Sequence, residues 1–142
     1  MARVLGIDYG TRRIGLAISD PSGTLARPLT TLTLSAEDDP AARVADAIAR
    51  LSLEDDGLAA VVVGLPSRLD GSPSEQTPRV QAFIAALAGR TPLPIARVDE
   101  RLTSHEADSR LALRERDWKK RKAQLDAAAA AIILQDYLDQ QS

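Results

Sequence analysis

The chain contains no cysteine and a single histidine. Lack of cysteine rules out disulfides, thiolate metal sites and cysteine nucleophiles. The lone histidine, His105, lies near a predicted helix start and reads as a surface residue, and no G-x-S-x-G turn is present to seat a serine nucleophile. Long apolar runs are missing as well: no segment approaches the roughly 18 uninterrupted apolar residues that a membrane span needs. The opening MARVLGID lacks the apolar stretch and small-residue cleavage site of a secretory leader. Together these absences make the cytoplasm the expected compartment and leave no expected role in a membrane.

What is present suits one folded unit. At 142 residues, with 44% hydrophobic and 27% charged side chains, a single domain spanning 1–142 with a substantial core is expected. The net charge of −2 argues against a protein that coats nucleic acid nonspecifically. That average hides a segregated pattern. Between Arg110 and Lys122, seven basic residues (Arg110, Arg114, Arg116, Lys119, Lys120, Arg121 and Lys122) face only Glu115 and Asp117.

The hydrophobic pattern changes period along the chain. RVLGID and RIGLAIS are short β-rich runs divided by a glycine-containing turn, and DPSG, residues 20–23, is a second turn signal. LARPLTTLTL alternates threonine with apolar residues as a third strand, so the first three strands form an antiparallel meander. In DDPAARVADAIARL, Asp39 is placed to cap a helix with Pro40 at its first position, and Val44, Ala45, Ile48 and Leu51 recur at helical spacing. LAAVVVGLP is a strand buried on both faces, and SRLDGSPSEQ a polar loop. TPRVQAFIAALAG is a helix capped by Thr77 and ended by Gly89, LPIARVDE a further strand, and TSHEADSRLAL a helix. RERDWKKRK reads as a charged connection before a last, alanine-rich helix. The order β-β-β-α-β-α-β-α-α predicts a mixed α/β sheet flanked by helices, antiparallel first and parallel afterwards.

Three sets of acids stand out. Asp8 ends an apolar strand between Gly6 and Gly10, where a ligand can approach closely, although a turn aspartate would look the same. Asp99 and Glu100 end another strand; adjacent strand residues point to opposite faces, so only one of them can face Asp8. Asp126 stands before five alanines, either as a helix cap or inside a helix that begins upstream, because KKRKAQLD has no breaker. Inside a helix it shares a stripe with Ala130, Ile133 and Tyr137, where an unpaired carboxylate is costly and a cation resolves the cost. Converging carboxylates suggest Mg²⁺ or Mn²⁺, hard cations that prefer oxygen ligands and activate water against phosphodiesters.

Taken together, GIDYGTRRIGLAISD, VVVGLPSRLDGS, VDERLTSHEA and LDAAAAAIILQDYLD resemble, in order and over nearly the whole chain, the bacterial YqgF (RuvX) family of Holliday junction resolvases and pre-16S ribosomal RNA nucleases. The resemblance implies a ribonuclease H-like fold. It also implies that Asp8, Glu100 and Asp126 form the catalytic, metal-binding set, choosing Glu100 over Asp99. Gly10, Thr11 and Arg12 would then lie beside the site, with Arg101 and Thr103 near the scissile phosphate. The basic stretch gains a use in turn: Lys119, Lys120, Arg121 and Lys122 would neutralise phosphates while Trp118 stacks on a base.

The expected activity is metal-dependent hydrolysis of structured nucleic acid, with a pre-16S ribosomal RNA precursor preferred as substrate. Cleavage of four-way DNA junctions is the alternative and would require a homodimer with two active sites, whereas RNA cleavage is open to a monomer. D-Y-G-T also resembles the phosphate loop of actin-like phosphotransferases, but those enclose nucleotide between two lobes and this chain has length for one. A noncatalytic binding module would leave three acids unexplained.

Overall fold

The protein is described by a computed structural model over residues 2–65, 77–99 and 118–141. Five strands form one sheet: β1 (Arg3–Tyr9), β2 (Arg13–Ser19), β3 (Ala26–Thr33), β4 (Leu58–Leu65) and β5 (Ile95–Asp99). Three helices are described: α1 (Pro40–Ser52), α2 (Thr77–Ala88) and α3 (Trp118–Gln141). The spatial order is β3-β2-β1-β4-β5. The β1–β2 and β2–β3 pairs are antiparallel, while β1–β4 and β4–β5 are parallel. The mixed sheet expected from the sequence is therefore present. The loop read at SRLDGSPSEQ and the helix read at TSHEADSRLAL lie outside the described residues.

Strand alternation gives the sheet two chemically different faces. Leu5, Ile7, Ile14, Leu16, Ile18, Val61 and Val63 point to one side, where Val44, Ile48, Leu51, Val80, Phe83, Ile84 and Leu87 of α1 and α2 complete a core of large side chains. The other face is richer in small residues, with Gly6 and Ala17 in the middle and Ala26 and Ala96 towards the edges, alongside Val62 and Val98. There α3 supplies Ala130, Ile133, Leu134 and Leu138, so a long helix comes down close to the strands. The contact at Gly6 shows how close. A Cβ there would stand 2.7 Å from Leu134 Cβ and 3.0 Å from the Ala130 carbonyl oxygen. The alanine run is the helical half of this small-to-small packing.

Helix α1 begins as the sequence indicates. Asp39 is the N-cap, its Oδ1 accepting from the backbone N–H groups of Ala41 at 3.1 Å and Ala42 at 3.4 Å, and Pro40 occupies the first turn. Both α1 and α2 start at the edge of the sheet where β1 ends, because each follows a strand running parallel to β1 and returns antiparallel to it. At that edge the Tyr9 and Phe83 rings pack with centroids 4.5 Å apart.

One boundary differs from the sequence reading. RERDWKKRK was expected to be a connection, yet α3 is already helical at Trp118. Trp118 to Leu125 contains no Gly, Pro or Ser, and Lys, Arg, Gln, Ala and Leu all favour helix, so nothing stops the helix short of Asp126.

Candidate active site

The long upstream extension of α3 decides the position of Asp126. It lies in the interior of the helix, two turns past Trp118, where backbone N–H groups already have helical partners, so it is not an N-cap. Its side chain is partly buried, and its Oδ2 accepts a charge-assisted hydrogen bond of 2.5 Å from Nε of Arg13, the first residue of β2. The two residues are 113 positions apart in the chain. Their pairing is a product of the fold.

Asp8 arrives from the neighbouring strand. It pairs across the antiparallel ladder with Gly15, and directly opposed residues project to the same face. That face is identified by Gly15 itself, since a Cβ there would overlap the Asp126 carbonyl group and the Ala127 nitrogen. Asp8 thus rises on the α3 side of the sheet, next to the glycine on which Asp126 rests. Arg13 and Gly15, two apart on β2, share that face. A strand carboxylate and a helix carboxylate consequently flank one backbone contact, with a guanidinium beside the second.

Placement of the other expected residues is mixed. Gly10, Thr11 and Arg12 form the tight connection between β1 and β2 at the same edge, with Thr11 and Arg12 exposed. Gly10 is required there because a Cβ would overlap the Arg13 carbonyl oxygen. Arg12 uses its backbone carbonyl to accept from Leu34 N–H at 2.8 Å, which fastens the connection to the end of β3. Trp118, Lys119, Lys120, Arg121 and Lys122 occupy the first turns of α3, upstream of Asp126. Glu100, Arg101 and Thr103 lie outside the described residues. Asp99, the preceding residue, pairs with Leu65 at the end of β5 and is exposed.

The sequence reading did not single out Arg13 or Gly15. The resemblance puts Arg12, the first arginine of TRRIG, beside the site, and strand alternation puts the second, Arg13, on the α3 face. A signal was available: Arg13, Gly15 and Ala17 alternate with Ile14, Leu16 and Ile18, which marks the small-residue face of β2.

Asp8 and Asp126 are hard oxygen donors suited to Mg²⁺ or Mn²⁺. Among the described residues no group of three or more histidines, cysteines, aspartates or glutamates is close enough to hold a metal ion. Two carboxylates fit a cation that keeps several waters, and a third acidic ligand would have to come from beyond the described residues. No described helix is long and apolar enough to cross a membrane.

Comparison with known proteins bears on the family and the fold. The family model of RuvX, described as Holliday junction resolvase, matches residues 2–140. A relative from Chloroflexus aggregans, named as a pre-16S rRNA nuclease, is 45% identical over 136 residues, covering 96% of this chain and 92% of its own. One from Koribacter versatilis with the same name is 41% identical over 137 residues, covering 96% and 86%. Among solved structures, Thermus thermophilus RuvC in complex with a Holliday junction substrate aligns with a TM-score of 0.60 at 17% identity, over 100% of this chain and 98% of that one. Fowlpox virus resolvase with junction DNA aligns with a TM-score of 0.59 at 10% identity, over 98% of both. At such identities the structural likeness speaks for the fold alone, and that fold is ribonuclease H-like.

Proposed function

The chain belongs to the RuvX family and is a nuclease, a hydrolase of phosphodiester bonds; from that premise we propose that it trims the 5′ end of a pre-16S ribosomal RNA through a site built on Asp8, Glu100 and Asp126. The observation that carries the site is the placement of Asp8 and Asp126 on one face of the sheet, either side of Gly15. RNA is preferred over junction DNA because the relatives named for pre-16S rRNA are 41–45% identical over nearly the whole chain, whereas the junction-bound structures share 17% or less.

Divalent-metal dependence goes with this fold. We assign Asp8, Glu100 and Asp126 as the ligands and Mg²⁺ or Mn²⁺ as the ion. When bound, such an ion lowers the pKa of a water and stabilises the charge on the leaving oxygen. Asp8 holds its position through the β1–β2 ladder and Asp126 through the contact of α3 with Gly15, so neither depends on a flexible segment. The products are a 5′-phosphate and a 3′-hydroxyl. Gly10, Thr11 and Arg12 present backbone N–H groups and a guanidinium at the rim of the site. Arg101 and Thr103 contact the scissile phosphate. Lys119, Lys120, Arg121 and Lys122 neutralise the phosphates of the flanking strand, with Trp118 stacked on a base. The whole of 1–142 acts as one nuclease domain in the cytoplasm.

The family description favours a second reading, paired cutting of four-way DNA junctions by a homodimer. Both readings are separated by one assay. Labelled precursor RNA and a four-way junction are incubated with Mg²⁺ or Mn²⁺ and wild-type protein, D8N, E100Q or D126N. The expected result is RNA trimming that each substitution reduces by about a hundredfold or more. Symmetric junction cuts with intact RNA would reverse the substrate order, and full activity in all three variants would remove the carboxylate site.

A further inference from the structure

Arg13 is committed to Asp126, one of the carboxylates assigned above to the metal, and the function read so far gives it no role. Its Nε donates to Asp126 Oδ2 at 2.5 Å, with both side chains partly shielded from water. We propose that Arg13 is an internal cation that competes with the divalent metal for Asp126, keeping the carboxylate neutralised and α3 docked until the metal takes its place. This inference rests on the assignment of Asp126 as a metal ligand.

The argument is one of charge and geometry. Asp126 sits where the helix backbone touches the sheet at Gly15, and its side chain there is largely shielded from water. A partly buried carboxylate in that position needs a cationic partner, and Arg13 provides one from within the fold. A guanidinium offers an N–H that matches a carboxylate oxygen and keeps its charge at any physiological pH. A divalent ion entering on the same oxygen meets the positive charge of Arg13 at close range, so the two bindings are negatively coupled. By linkage the coupling is reciprocal: occupancy by the ion weakens the Arg13–Asp126 bond to the same degree that Arg13 weakens the ion. Arg13 is thus a positioning residue that sets how much metal the site requires. Its position on β2 suits the task, because the strand is hydrogen-bonded on both sides and carries Arg13, Gly15 and their contacts with α3 as one rigid unit.

Mn²⁺ binding to the full-length protein is measured by calorimetry, and melting temperature is recorded in chelator and in saturating Mn²⁺. Arg13→Met, which keeps length and loses charge, is expected to bind Mn²⁺ about tenfold more tightly, a coupling of ordinary size for linked sites. Its melting temperature should fall in chelator and recover with Mn²⁺ by more than the wild type gains. A residue that merely packs would lower stability without tightening the metal. Arg13→Lys keeps the charge but loses the planar N–H donor, and a gain of about threefold is expected; it carries the test should Arg13→Met fail to fold. Unchanged or weaker Mn²⁺ binding in these variants, with binding abolished in D126N, overturns the competition and leaves the metal site standing. Wild-type Mn²⁺ affinity in D126N overturns the ligand assignment itself.

Discussion

Gly15 of β2 lies directly beneath the backbone of Asp126, so closely that a Cβ at position 15 would occupy the Asp126 carbonyl group. Because Asp8 is the ladder partner of Gly15, this one contact fixes the relation between the strand acid and the helix acid. The lesion needed to test it is a single methyl group. Gly15→Ala has no free space to enter and must lift α3 from the sheet, an overpacking cost of about 1–3 kcal/mol. Displacement by about 1 Å is enough to lose roughly a hundredfold in turnover where reacting groups must be aligned. Cleavage rate and thermal unfolding measured on the same preparation check both parts. Wild-type turnover in Gly15→Ala would show that the acids do not depend on this contact.

The docking of α3 makes a second prediction. Leu134 is fully buried on the small-residue face, and its Cβ would stand 2.7 Å from a Cβ added at Gly6. Leu134→Ala leaves a gap that a glycine opposite cannot fill, so the loss should fall in the upper part of the range of about 2–5 kcal/mol for such truncations. Urea denaturation of the variant and wild type reads this directly. A loss well below the range would mean that α3 settles further onto the sheet.

Asp39 offers a contrast, since it stabilises α1 without belonging to the nuclease site. Its carboxylate accepts from Ala41 and Ala42 N–H and also meets Arg90 at 2.9 Å. The ion pair is about half exposed and contributes little, whereas loss of the cap costs about 1 kcal/mol. Asp39→Ala should therefore lower stability by about that amount and leave the rate of cleavage unchanged, which separates general destabilisation from damage to the site. Arg90→Ala tested alongside should cost much less; equal losses in the two variants would transfer the effect from the cap to the ion pair.

How far the sequence reveals this architecture depends on the range of the interaction. Local rules suffice for α1, where Asp39 and Pro40 mark the start and Val44, Ile48 and Leu51 the buried face. They suffice for β1, β2 and β4 too, whose alternating or continuous apolar residues admit few other readings. The start of α3 is harder, because RERDWKKRK has the charge of an exposed connection and the propensities of a helix, and propensity wins where no breaker intervenes. Arg13 is harder still. TRRIG offers two adjacent arginines, and only the register of β2 against β1, together with the face taken by α3, tells which one reaches Asp126. That choice is made by tertiary packing between residues 113 apart, beyond any local pattern.

The far end of the sheet carries an acid-sensitive turn. Asp20 closes the turn after β2, accepting from the backbone N–H of Thr24 at 2.8 Å and Leu25 at 2.9 Å and from the Ser22 hydroxyl. The Ser22 hydrogen bond, followed by those from Leu25 and Thr24, holds its carboxyl down at about 2, below the usual 3.8. A group whose pKa is depressed by folding stabilises the fold above its ordinary pKa and loses that contribution as pH falls through the folded value. The Asp20 contribution is accordingly complete above about pH 4 and fades towards pH 2. The turn is also fastened to α3, for Gln135 accepts from Ala26 N–H at 2.9 Å and donates to the Thr24 carbonyl at 3.0 Å. Acid should thus loosen the β2–β3 turn and the C-terminal part of α3 together, while the β1–β2 ladder around Asp8 and Gly15 stays protected. Amide hydrogen exchange across pH 5 to 2 would report this order, and Asp20→Asn should remove the pH dependence at Thr24 and Leu25. Persistence of that dependence in Asp20→Asn would assign the acid sensitivity to another carboxyl group.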